Sequence, residues 1–226
     1  MNQESLRGEP RPFSAEHAAY LAKWLRSLFF WSLLAMVGRG ALIYERLLAR
    51  IHRVYYLYLD FAIIGVTVLA TIAMAWVFWK LGKESTNYYC VVFLLAISLC
   101  VEVLLFEKGA AGPLWWGLRL LEAGAVLANT YHRYQGHAEI LERINNVQAE
   151  KWSRLWKWYI KLILAIPAGF LATRVFSAFG EILVLAALLG LAGLGILELV
   201  YLWQTASGFR DYAPEEQLFP AEAEIS

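Results

Sequence analysis

The residues from Val54 to Phe106 constrain this chain more than any others. Val54 to Trp79 carries one charge, Asp60; Lys80 to Asn87 is short and polar; Tyr88 to Phe106 again carries one charge, Glu102. At a rise of ~1.5 Å per residue, either run is long enough to cross a hydrocarbon core about 30 Å thick. The polar link is too short to hold a domain. The pattern therefore predicts a transmembrane helical hairpin over 54–107, its two helices antiparallel neighbours.

Composition extends this reading to the whole chain. With 60% hydrophobic and 17% charged residues, 226 residues are too apolar for an ordinary soluble domain. Cys90 and Cys100 fall on one predicted helix, separated by ~15 Å of rise, so they do not bond to each other. Their apolar setting predicts small buried side chains. No cleavable signal is expected, because the first apolar run begins near Ser27 behind a long polar lead.

In chain order, residues 1–13, with Pro10 and Pro12, read as a disordered lead. Ser14 is a helix cap, and residues 14–53 form an amphipathic or membrane helix. The arginines Arg39, Arg46, Arg50 and Arg53 favour an interfacial position over a crossing from Ser27 to Tyr44. Pro113 opens a further helix, expected over 113–159 as an amphipathic element that extends partly into the cytoplasm. On that helix Arg119, Glu122, Asn129, Thr130, Arg133 and His137 share one side, which Ile140, Leu141 and Ile144 continue. This side is expected to stay interior while the surroundings change from lipid to water; a helix lying flat on the surface is the alternative.

Trp152, Trp156 and Trp158 among Lys151, Arg154, Lys157 and Lys161 mark a membrane interface, and the adjoining apolar run argues against nucleic-acid binding. Residues 160–203 read as a second transmembrane hairpin, with Pro167 inside its first helix. Gly169, Thr173 and Ser177, with Ala186 and Gly190, recur at the four-residue spacing that lets helix backbones approach closely. Residues 204–226 are acidic and expected to be disordered. The fold class is thus all-α: a polytopic membrane protein of two transmembrane hairpins, four spans or six, plus an amphipathic cytoplasmic segment.

Charge weighs the two span counts. With four spans every Lys and Arg lies in the cytoplasm except Lys80, Lys83 and Arg174. With six, Arg46, Arg50, Arg53 and Lys108 lie on the far side, and Arg39, Arg119 and Arg174 are embedded. The positive-inside rule favours four, and the apolar run from Pro113 to Tyr131 favours six. Both put the two termini in the cytoplasm, at the inner or plasma membrane.

Ionisable residues inside spans carry the functional expectations, since a charge at mid-membrane costs ~2.5–3.5 kcal/mol even on the most lenient scale. In the four-span arrangement Asp60, Glu102 and Glu198 would form a carboxylate cluster near a cytoplasmic mouth; the alternative pairs each with a neighbouring cation. Arg119 and Glu122, three apart, can satisfy each other. Asn129, Thr130, Arg133 and His137 form the polar stripe. His132 and His137 are roughly 140° apart around a helix and do not make a same-face metal pair. No catalytic residue, metal site or cofactor is indicated, and an enzyme is the less favoured class.

The layout of close spans followed by a charged amphipathic helix resembles that of small membrane effectors attached to bacterial defence systems. Three readings follow. The first is an oligomeric pore or effector using the in-membrane carboxylates, with the bilayer and further copies or a membrane-protein partner as its contacts. The second is a non-catalytic scaffold or accessory subunit, and the third a transporter or membrane enzyme for an apolar substrate.

Overall fold

The computed structural model describes residues 13–48, 57–108 and 112–212. Residues 1–12 of the expected disordered lead and the end of the acidic tail lie outside the described residues, as do the Arg50 and Arg53 positions and the side chains of Arg39, Arg46 and Asp60; Phe13, the last residue of that lead, is buried against Phe209. Among the described residues there are six helices and no strands: α1 (Ala15–Leu48), α2 (Leu57–Leu81), α3 (Thr86–Lys108), α4 (Pro113–Glu142), α5 (Asn146–Ala172) and α6 (Ser177–Arg210).

Local chemistry sets most helix starts. Ser14 Oγ accepts from the His17 amide at 3.2 Å, and Ser85 Oγ accepts from the Asn87 amide at 3.2 Å. Asn145 Oδ1 accepts from the Gln148 amide at 3.0 Å and caps α5. These oxygens satisfy donors that a helix N-terminus leaves orphaned. Before α4, Gly112 turns the chain at φ 102°, a region most side chains avoid, and Pro113 then enters the first helical turn.

Each helix packs against its sequence neighbours, and α1 closes against α6, so the six form a ring. Successive helices alternate in direction. At one end, called the packed end, lie the start of α1, the α2–α3 turn, the α4–α5 turn and the end of α6. Contacts tie these together: Phe13 meets Phe209, His17 Nε2 lies 3.1 Å from Glu84, and the Arg143 guanidinium sits over the Phe13 ring. The core is concentrated there. Leu21, Leu25, Phe78, Leu81, Tyr88, Ile140, Leu141, Trp152, Leu202 and Phe209 are all buried. Away from it the helices turn large apolar side chains outward, among them Phe61, Leu69, Phe93, Leu120, Phe170 and Leu189. Such a surface is stable facing lipid and not facing water.

Five of the helices are long and apolar enough to cross a membrane, within Ala15–Gly38, Phe61–Leu81, Thr86–Leu105, Asn146–Ala172 and Ser177–Arg210. The chain is therefore a helical polytopic membrane protein. The 54–107 hairpin is present as α2 and α3, and α5 with α6 forms the later one.

Several boundaries need correction. The interfacial placement of residues 14–53 does not describe α1, which lines the ring between α2 and α6. The element expected over 113–159 is two helices, broken at Arg143–Asn145, because Asn145 caps a new helix that runs on through Pro167. Neither does α4 lie flat on a surface; it packs lengthwise between α3 and α5. The tail expected from residue 204 stays helical to Arg210, since Thr205, Ala206 and Phe209 are buried in the packed end. Cys90 and Cys100 are exposed rather than buried, on the outward side of α3.

Small residues bring α5 and α6 close together, backbone to backbone at Gly169 and Gly180 and backbone to side chain at Gly190. A Cβ on Gly180 would lie 2.6 Å from the Gly169 carbonyl oxygen, and one on Gly190 would lie 2.9 Å from the Leu162 side chain. Ala186 is exposed and takes no part.

Candidate functional site at the packed end

Polar residues cluster where α2–α3, α4, α5 and α6 converge. The first group joins the α2–α3 turn to α4. Ser85 Oγ donates to Glu139 Oε2 at 2.6 Å, and Asn87 Nδ2 donates to Glu139 Oε1 at 2.7 Å, so both carboxylate oxygens are engaged. With its amide nitrogen so used, Asn87 presents Oδ1 to His132 Nδ1 at 2.7 Å, which makes that nitrogen the donor.

The second group lies deeper. Tyr88 Oη and His137 Nδ1 are 2.8 Å apart. The imidazole is fully buried, 4.4 Å from Trp152 and 6.4 Å from Phe78 between ring centroids, and its Nε2 has no hydrogen-bond partner. His137 thus packs among side chains of three candidate spans, Phe78, Tyr88 and Trp152. Trp152 Nε1 donates to Thr205 Oγ1 at 3.2 Å, extending the cluster to α6.

A third group bridges α4 and α6. Arg133 donates to Glu198 Oε2 at 2.9 Å, and Tyr134 Oη donates to the same oxygen at 3.0 Å. Both charged side chains are mostly covered, 21% and 13% exposed, so the pair is shielded from water and lipid alike.

The structure separates carboxylate residues that were expected to converge. Glu198 lies on the packed half of α6, whereas Asp60 is in the first turn of α2 and Glu102 in the last turns of α3, both toward the opposite end. The expected carboxylate cluster therefore does not form. Its premise placed the starts of α2 and the ends of α3 and α6 on one side, and the alternating ring does not. Glu102 is exposed on α3. Arg119 and Glu122 meet each other at 2.6 Å, with Arg119 also stacked over Trp115.

The polar stripe of α4 does turn inward. Asn129 donates to the Val91 carbonyl at 3.3 Å, Thr130 returns its hydroxyl to the Val126 carbonyl, and Arg133 and His137 find Glu198 and Tyr88. His132 and His137 address different partners, Asn87 and Tyr88. Among the described residues no three His, Cys, Asp or Glu side chains converge as metal ligands would. Sequence reasoning missed Ser85, Asn87, Tyr88, Tyr134, Glu139 and Thr205, and it assigned to the membrane interface Trp152, which is instead fully buried and bonded to Thr205. The Ser85 cap preceding Asn87, and Tyr134 beside Arg133 on the stripe, were the signals available.

Chemically, these groups hold helices in register. Each carboxylate in them is bound by two donors, and the deep imidazole is tied to Tyr88. Comparison with known protein families, curated proteins and solved structures gave no match.

Proposed function

We propose that this protein is a non-catalytic membrane scaffold or accessory subunit, which presents the packed end as a rigid platform to a partner. One observation carries this reading: Glu139 and Glu198, the carboxylates drawn inward in this cluster, are each held by two donors of the fold. Glu198 is bound by Arg133 and Tyr134, and Glu139 by Ser85 and Asn87. Side chains spent in this way specify a fold and leave no site for an ion in transit. A path through the ring would also have to pass Phe78, Tyr88, His137 and Trp152, which meet across its interior. The polar depression lined by Glu142, Asn146, Glu150 and Ser153 at the α4–α5 turn supplies a surface for contact.

The packed end faces the cytoplasm in this reading. Lys23, Arg26, Lys80, Lys83, Arg143, Lys151, Arg154 and Arg210 all lie toward it, as the positive-inside rule requires. Both the start of α1 and the end of α6 are then cytoplasmic.

Extraction in a mild detergent, followed by mass determination of the intact complex, tests the proposal. A stoichiometric partner, lost when Glu142 and Glu150 are changed to Lys, is the expected result. Ion flux in liposomes of the purified chain, reduced by Glu102→Gln or Glu122→Gln, would overturn it in favour of a pore.

A further inference from the structure

An apolar groove runs between α1 and α6 on the outer surface, lined by Phe29, Phe30, Ile196, Leu199, Val200 and Trp203. Since α1 starts and α6 ends at the packed end, the groove has a direction. Ile196 lies ~10 Å deeper along α6 than Trp203, and Arg26 stands one turn of α1 closer to the packed end than Phe29 and Phe30. A charge thus sits at the rim of an apolar trough.

Among the described residues that charge has no salt-bridge partner. The Arg26 guanidinium lies over the Trp203 ring, 5.8 Å from its centroid, and its Nε is buried with no hydrogen-bond partner. Asp211 is near enough to feel its charge, but that carboxylate accepts from Arg210 at 2.6 and 3.1 Å. Lys23, one turn further on, is exposed and adds positive charge at the same rim.

We propose that the groove holds an acyl chain of one anionic phospholipid from the surrounding bilayer, with its phosphate on Arg26. Arginine suits a phosphate because its planar donors match the oxygens, and Trp203 sits where an indole favours the headgroup boundary. A soluble anion would use the guanidinium but leave the apolar floor uncovered. An uncharged lipid would cover the floor but leave Arg26 unmatched. Only a charged amphiphile uses both.

Native mass spectrometry of the delipidated chain tests this with phosphatidylglycerol, phosphatidylcholine of the same acyl chains, and inorganic phosphate. The expected result is one phosphatidylglycerol adduct, about tenfold tighter than phosphatidylcholine, and not displaced by millimolar phosphate. Arg26→Gln should abolish the preference and Arg26→Lys should keep part of it. Val200→Trp, which fills the floor, should remove the adduct while leaving Arg26 in place. Equal binding of the two lipids, an unchanged preference in Arg26→Gln, or displacement by inorganic phosphate would each overturn the proposal. Should Arg26→Gln not fold, the Val200→Trp and Arg26→Lys results still decide it.

Discussion

Arg133 on α4 and Glu198 on α6 lie 2.9 Å apart although their helices are not neighbours in the ring. The pair crosses the interior and holds α4 and α6 at a set distance, with Tyr134 adding a second donor to the same oxygen. Removing one partner leaves a charge in a covered site, and Arg133→Gln or Glu198→Gln should each destabilise the fold by ~3–5 kcal/mol. The double replacement Arg133→Leu with Glu198→Leu should cost far less than the sum of the two. Thermal unfolding in detergent of both singles and the double measures the coupling; additive losses would show that the bridge does not act as a unit.

The close crossing of α5 and α6 should tolerate no side chain at Gly180. A Cβ there meets the Thr173 amide nitrogen and the Gly169 carbonyl oxygen, backbone atoms with no freedom to move aside. Gly180→Ala should lower stability by more than 1 kcal/mol, on the order of an overpacking penalty. Gly193→Ala on the same helix has open space around its Cβ and should be neutral or slightly stabilising. Matched unfolding curves of the two variants check this directly.

The alternating ring places Lys83 and Arg143 at one end and Arg174 at the other. All three are exposed. In a background with Cys90→Ser and Cys100→Ser, cysteines at positions 83 and 143 should react with an impermeant thiol reagent from the same side of the membrane, and a cysteine at 174 from the other. Shared labelling of positions 83 and 174 would contradict the helix directions described here.

The sequence alone determined the membrane environment, the all-helical class and the two hairpins. Long uncharged runs admit no other way of satisfying backbone hydrogen bonds in lipid. It also determined the inward turn of Asn129, Thr130 and His137, because residues recurring on one side of a helix share a face whatever packs against it. What α1 and α4 do was left to tertiary structure. The arginines of α1 argued for the interface, α4 was open between a packed helix and one flat on the surface, and only the ring shows α4 packed between α3 and α5 with Arg133 neutralised by a helix 65 residues away. The separation of Glu198 from Glu102 was equally hidden, since it depends on which end of the bundle each helix starts from. Charge pairing between distant helices is a property of their arrangement in space, and no local pattern in the chain encodes it.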